Sequence, residues 1–162
     1  MPSADTTLRI EPVRFADPVH VDAVVELLDA YHRDPMGMSA PWDRSRTPAL
    51  LDGLEKHPTA FVLIAWDGEE ALGMAVCFVG FSTFSAKPLV NLHDLVVRPE
   101  ARRRGVAKAL FAAIEAQAAR IGAGRVTLEV RKDNEAARAL YASLGYGAGD
   151  APMEFWGKAL DL

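Results

Sequence analysis

Only one of the 162 residues is a cysteine, Cys77, so the chain can form neither an internal disulfide nor a multi-cysteine metal site. The longest apolar stretch, between Ala71 and Phe81, contains two glycines and is shorter than the roughly 20 residues that span a bilayer. The amino terminus has no apolar segment behind a basic start, so no secretory signal is predicted. We therefore expect a cytoplasmic protein that does not insert into a membrane.

Basic residues are outnumbered, because 18 Lys and Arg face 22 Asp and Glu and the net charge is −4. General affinity for nucleic acid needs a basic surface, so no nucleic-acid partner is expected. The histidines show no metal-ligand spacing with carboxylates or with the cysteine, so no metal site is expected. Four arginines nevertheless fall within seven positions and indicate a local anion site: Arg98, Arg102, Arg103 and Arg104.

Apolar residues make up 50% of the chain, which is enough for a core, and the length fits a single domain over residues 1–162. Apolar periodicity predicts the order β-α-α-β-β-β-α-β-α-β. Strands are predicted near residues 7–13, 61–66, 72–81, 89–97, 126–130 and 155–160, and helices near 18–32, 47–57, 105–121 and 134–144. We expect an α/β fold in which helices cover both faces of a mixed sheet, with a central βαβ unit from 89 to 130.

The segment RPEARRRGVA lies between the predicted strand 89–97 and the long helix after it. Gly105 and the small Ala107 let the backbone approach a ligand, and a helix N-terminus directs free N–H groups to the same place. This pattern is typical of a pyrophosphate-binding loop, although a plain helix start with solvated arginines has the same residues. It lacks the Gly-Lys-Ser/Thr of a Walker loop and the G-x-G-x-x-G of a dinucleotide site.

Four pieces of the chain follow one another in a specific order. They are the strand LVNLHDLVV, the run R-x-x-G-x-A from Arg102 to Ala107, the strand TLEV, and N-x-x-A-x-x-L-Y-x-x-L-G-Y from Asn134 to Tyr146. Together they resemble the GNAT superfamily of acetyl-CoA-dependent N-acetyltransferases, over about residues 61–160. The resemblance implies an α+β fold with a mostly antiparallel sheet of about six to seven strands and about four helices.

The same resemblance implies that acetyl-CoA is the cosubstrate and that an acetyl group passes to a primary amine, of a small molecule, by direct attack in a ternary complex. The run LHDLVV and the first long loop are similar to those of small-amine enzymes of the polyamine type. A non-catalytic acyl-CoA-binding module, and transfer to a protein amino terminus or lysine, stay open.

By resemblance, the backbone of the central strand binds the acetyl carbonyl and pantetheine arm where that strand separates from the next one, and the arginine loop holds the pyrophosphate. The implied cofactor-binding residues are Leu95, Val96, Val97, Arg102, Arg103, Arg104, Gly105, Val106, Ala107, Asn134 and Tyr141. Tyr141 would also protonate the departing thiolate, unless it is a core tyrosine with an ordinary hydrogen bond.

A base or a water chain is required because an amine with a pKa near 10.4 is protonated at neutral pH, and freeing it costs about 4 kcal/mol. His93 is the preferred catalytic base, since an imidazole titrates near neutral pH. A backbone-bonded histidine without a catalytic role stays open, as does Asp94 or Glu129 acting through water. Alternation along the strand predicts that Asp94 points away from one shared face, which holds Asn91, His93, Leu95 and Val97.

The acceptor is expected to contact Asn91 and His93 on the strand and the loop from His32 to Arg46. This loop mixes acidic, aromatic and flexible residues suited to a small cationic amine, although a surface loop with an apolar anchor would look similar. Its candidates are Asp34, Met36, Trp42 and Asp43.

Two further expectations concern the core and the carboxyl terminus. Cys77 lies in an apolar strand, so we expect a core thiol and no acyl-enzyme. The predicted last strand carries Phe155 and Trp156, and it is a candidate for pairing across a homodimer.

Overall fold

The computed structural model describes residues 8–151 and 153–160. They belong to two compact units, Met1–Leu128 and Glu129–Leu162. The first unit holds the sheet and three helices, and the second holds one helix. The prediction of a single domain over residues 1–162 stays a prediction.

One five-stranded sheet forms the centre of the first unit, with the strands in chain order across it. The strands are β1 (Arg9–Pro12), β2 (Ala60–Asp67), β3 (Glu70–Ser82), β4 (Lys87–Val97) and β5 (Arg125–Leu128). β1 to β4 pair antiparallel, and β5 joins β4 in parallel. The mostly antiparallel mixed sheet and the βαβ unit are confirmed.

The described residues form four α-helices: α1 (Pro18–Arg33), α2 (Thr47–Lys56), α3 (Val106–Arg120) and α4 (Glu135–Ser143). α1 begins where the sequence predicts it, because the Asp17 side chain accepts a hydrogen bond from the Val19 N–H and Pro18 occupies the first turn. Short 3-10 helices at Arg44–Arg46 and Pro99–Ala101 precede α2 and α3. Among the described residues, no helix is long and apolar enough to cross a membrane.

The core has two layers, one on each face of the sheet. On one face, α1 packs its apolar side against alternate residues of β2, β3 and β4; the cluster contains Ala23, Val24, Leu27, Val62, Ile64, Trp66, Met74, Val76 and Val96. On the other face, α3 buries Leu110, Phe111 and Ile114.

Gly73 allows α3 to approach the second face closely. A Cβ at this position would lie 2.8 Å from the Val96 carbonyl oxygen and 2.9 Å from Val106 Cγ1. A side chain at position 73 would therefore push away the first turn of α3, which follows directly on the arginine-rich loop.

The second unit contains α4 and the chain after it. The Asn134 side chain accepts a hydrogen bond from the Ala137 N–H at 3.1 Å and so caps α4 as predicted. Gly145 follows the helix with φ +90°, the left-handed conformation expected of a C-terminal stop.

The predicted last strand is wrong, because the described residues 153–160 form neither strand nor helix. The sheet therefore has five strands in the described part of the chain, fewer than the predicted six to seven. Phe155 and Trp156 are adjacent, so they do not alternate with polar residues as a half-buried strand requires, and Gly157 follows them. Both side chains are exposed.

Candidate active site

A β-bulge in β4 shapes the candidate site. Cys77 of β3 pairs with Leu92, and the preceding Val76 pairs with Asp94, so His93 is an extra residue between the two pairs. Residues directly opposite each other in a sheet share a face, and Val76 belongs to the cluster under α1. Asp94 therefore faces α1.

His93 lies on the same face as Asp94. Its ring contacts the ring of Phe78 edge-on at 5.4 Å, and Phe78 packs against the cluster under α1. Leu95 and Val97 pair with Ala75 and Gly73 and face α3 instead.

The sequence predicted that Leu95 and Val97 share a face with His93 and that Asp94 lies on the other face. Both predictions were wrong, because the extra residue at the bulge shifts the alternation of the strand. Asn91 was placed correctly, since it pairs with Phe78, and its side-chain amide donates to Thr127 Oγ1 of β5 at 3.2 Å.

Asp94 is a partly buried carboxylate on the face of β4 that α1 covers. Its Oδ2 lies 3.9 Å from His93 Nε2. Burial raises the pKa of Asp94, and the charges of His93 and His32 oppose that shift. Burial, then the charges of Asp94 and Asp34, raise the pKa of the Tyr31 hydroxyl.

The loop after α1 is organised by Asp34. Its Oδ1 accepts a hydrogen bond from the Met36 N–H at 2.8 Å, and its carbonyl oxygen accepts one from the Gly37 N–H. Its Oδ2 accepts a hydrogen bond from Arg102 Nη2 at 2.5 Å, and this contact lowers the pKa of Asp34. The loop predicted to bind acceptor is thus joined to the loop predicted to bind pyrophosphate.

Trp42 is fixed within the same loop. Its backbone N–H donates to Asp29 Oδ1 at 2.9 Å, and its indole N–H donates to Thr47 Oγ1 at 3.1 Å. The His32 and Trp42 rings meet edge-on at 4.9 Å. Sequence reasoning missed Asp29 and Tyr31; the i,i+4 spacing of Asp29 and Arg33 was a signal for the first, whereas Tyr31 looked like an ordinary apolar-face residue.

The parallel pairing of β4 with β5 ends at Leu92 and Leu128. In the part of the chain that the structure describes, the backbone of Leu95 to Val97 has a strand partner only on the β3 side. The separation of the two strands beyond this point, which the resemblance implies, stays a prediction.

The loop from Arg102 to Ala107 combines left-handed backbone positions with the N-terminus of α3. The first N–H groups of α3, as of any helix, have no intrahelical acceptor. The N-cap residue is Gly105, with φ +81°, and it has no side chain that could accept a hydrogen bond from them. Arg103 also has a positive φ, +62°. These features fit the pyrophosphate of acetyl-CoA, which the resemblance implies.

Carboxylates hold three of the four clustered arginines. Arg98 pairs with Glu26 of α1, Arg102 with Asp34, and Arg104 with Asp67 at the end of β2. Within residues 8–151 and 153–160, the Arg103 side chain has no hydrogen bond or ion pair. Arg103 is thus the arginine available to an incoming anion.

Three of the other candidates belong to the second unit. Asn134 caps α4, Tyr141 lies within α4, and Glu129 begins the second unit. Cys77 is fully buried, and burial raises the pKa of its thiol to about 12. No group of three or more potential metal ligands occurs among the described residues.

Most of the chain matches a known protein family. The Acetyltransferase (GNAT) family matches residues 21–146. The chain belongs to this family. It is 37% identical over 93 residues to the uncharacterized N-acetyltransferase YhfO of Bacillus subtilis (strain 168), which is 57% of this chain and 62% of that protein.

A second GNAT relative is the mycothiol acetyltransferase of Clavibacter michiganensis subsp. michiganensis (strain NCPPB 382), 33% identical over 144 residues. The match covers 89% of this chain and 41% of that protein, so the chain spans less than two thirds of the length of either relative.

The GNAT fold is also seen in a solved aminoglycoside acetyltransferase from an uncultured soil metagenomic sample, in complex with sisomicin. It superposes with a TM-score of 0.78 at 21% identity and covers 98% of this chain and 100% of that one. At this identity the likeness concerns the fold.

Proposed function

We propose that this GNAT chain transfers an acetyl group from acetyl-CoA to a primary amine of a small molecule while both substrates are bound. The observation that carries the proposal is the path of β4. Its bulge places His93 and Asp94 on one face, and its end leads through Arg98 into the arginine-rich loop.

The reaction removes two protons from an acceptor that binds as an ammonium and returns one to sulfur. Acetyl-CoA supplies the acetyl group as a thioester. Once the first proton has left, the acceptor nitrogen forms a bond to the carbonyl carbon, the carbon–sulfur bond breaks, and the electron pair leaves with sulfur as a thiolate, which takes up a proton. The nitrogen loses its second proton after the attack, and the one proton that sulfur does not take up goes to solvent, so charge and atoms balance.

His93 accepts the proton from the acceptor nitrogen. Asp94, 3.9 Å away, stabilises the imidazolium that results. Backbone N–H groups between Leu95 and Val97 that point away from β3 stabilise negative charge on the carbonyl oxygen. Tyr141 returns a proton to sulfur, and Asn134 contacts the cofactor arm; both assignments rest on the family resemblance.

The donor site is tested by titrating acetyl-CoA calorimetrically into the full chain and an Arg103→Glu variant. We expect the dissociation constant to rise at least tenfold, about 1.4 kcal/mol, because the substitution reverses a charge that no carboxylate holds. Glu tolerates the positive φ no worse than Arg does, so backbone strain does not change.

Arg120→Glu is the matched control. It makes the same charge change at the other end of α3, 14 residues from Val106, or about 21 Å along the helix. At that distance salt screens the charge, so binding should stay within about twofold of the original protein. Equal losses in both variants, or no binding of acetyl-CoA at all, would remove the donor site.

The chemical step is tested by thiol release with a panel of primary amines. His93→Ala and Tyr141→Phe should each lower the amine-dependent rate while acetyl-CoA still binds. Binding without turnover for every amine would favour the non-catalytic acyl-CoA-binding module.

A further inference from the structure

The carboxylates of the predicted acceptor loop and the adjoining end of α1 are occupied by the protein itself. Asp29 accepts hydrogen bonds from Arg33 and from the Trp42 N–H. Asp34 accepts them from Arg102 and the Met36 N–H, and Asp43 from the Ser45 N–H and hydroxyl. These contacts lower the pKa of each of the three carboxyls.

Asp94 differs from these three carboxylates. In the described part of the chain it accepts no hydrogen bond, and its polar neighbour is His93 at 3.9 Å. The side chain of Asp94 is 27% exposed to solvent, so a small ligand can reach it. A cation placed there would pair with a carboxylate that is otherwise poorly compensated.

An aromatic ring contacts His93, the residue next to this carboxylate. Phe78 contacts the His93 ring on β4 and, at 4.8 Å, the His57 ring beyond α2. On the α1 side, Tyr31 packs against the same cluster as Phe78, and His32 packs edge-on against Trp42. Flat apolar surfaces of this kind favour a planar or apolar body and a single cation close to a ring face.

We propose that the acceptor is a primary monoamine attached to an aromatic or apolar body, bound through its one ammonium group at Asp94. A polycationic amine would bring a second charge to a region whose other carboxylates are already paired, and an unpaired cation is costly to desolvate. This inference rests on the proposed acetyl transfer, and it replaces the polyamine-type acceptor suggested by the sequence.

The test compares phenethylamine, which carries one ammonium group, with spermidine, which carries three. Each is given to the full chain at saturating acetyl-CoA, and free thiol is measured. We expect kcat/KM for phenethylamine to exceed that for spermidine at least tenfold, and calorimetry to show the same order of binding.

Variants connect the preference to the residue. Asp94→Asn should raise KM for phenethylamine at least tenfold and leave KM for acetyl-CoA within twofold. Asp52→Asn, which removes an exposed carboxylate paired with Lys56 on α2, should change neither value.

The outcomes separate the two proposals. Equal or better turnover of spermidine, or an unchanged KM in Asp94→Asn, overturns the monoamine assignment and leaves acetyl transfer standing. Acetyl-CoA binding without transfer to either amine overturns the monoamine assignment, and loss of acetyl-CoA binding overturns both.

Discussion

Asp94 combines a poor environment for stability with a useful one for binding a cation. Burial raises its pKa above the ordinary value of 3.8, so the folded chain holds the proton more tightly than the unfolded chain does. The stability associated with the protonated carboxyl is therefore present below pH 3.8 and is lost as pH rises through the raised pKa. At neutral pH the charged carboxylate is a net cost.

Replacing that charge should consequently stabilise the protein while impairing its function. We expect Asp94→Asn to unfold at least about 2 °C above the original protein at pH 7.5, with the two midpoints converging near pH 4. Thermal unfolding followed by circular dichroism at both pH values measures this difference. Asp52→Asn serves as the control, and a lower midpoint for Asp94→Asn at pH 7.5 would show that the charge is well compensated.

At the scale of single residues, the sequence predicted the roles that depend only on neighbouring residues in the chain. Asp17 caps α1 and Asn134 caps α4 as their side chains suggest, because a cap depends on a few neighbouring N–H groups. The partner of Arg102 was not predictable, since Asp34 lies 68 positions away and comes close only once the sheet and α1 are assembled.

At the scale of elements, Gly73 controls how closely α3 packs on the sheet. Ala at this position would place a Cβ within 2.9 Å of both the Val96 carbonyl oxygen and Val106 Cγ1. We expect Gly73→Ala to lower the free energy of unfolding by about 1–3 kcal/mol and to weaken acetyl-CoA binding, because the first turn of α3 must move.

Gly53 provides the matched control on α2. A Cβ there meets nothing within 4 Å, so Gly53→Ala should stabilise the helix by about 0.5–1 kcal/mol and leave acetyl-CoA binding unchanged. Denaturant unfolding and calorimetry measure both effects. Similar stability for the two variants would mean that α3 adjusts without cost.

The positions of helices and strands were largely predictable, because the spacing of apolar residues indicates a helix or a strand whichever element packs against it. The bulge in β4 was not, since the sequence between Leu92 and Val96 gives no sign that an extra residue interrupts the alternation. The prediction of a strand near residues 155–160 failed because it relied on the two aromatic residues: Phe155 and Trp156 are adjacent and Gly157 follows them, so the segment lacks the alternation of a half-buried strand.

At the scale of the whole molecule, the second unit exposes large apolar side chains. Four of them lie in residues 153–160: Met153, Phe155, Trp156 and Leu160. Exposed apolar groups concentrated in this way are typical of an association surface. The homodimer stays a prediction, now based on this exposed segment without a regular strand.

Sedimentation velocity across a range of concentrations tests the association. We expect the original protein to sediment as a dimer, and a Phe155→Ser, Trp156→Ser double variant to shift towards the monomer. Phe84→Ser removes an equally exposed aromatic from the β3–β4 hairpin and should leave the dimer intact. A monomer at every concentration of the original protein would rule out the dimer.

The bulge at His93 also determines how β4 responds to a change in chain length. His93 is the extra residue, so deleting it leaves Leu92 opposite Cys77 and Asp94 opposite Val76, and the later residues keep their faces. Deleting a residue elsewhere in the strand shifts the residues beyond it by one position, and a shift of one position turns each side chain to the other face. The bulge is therefore the place where β4 tolerates a single-codon deletion best.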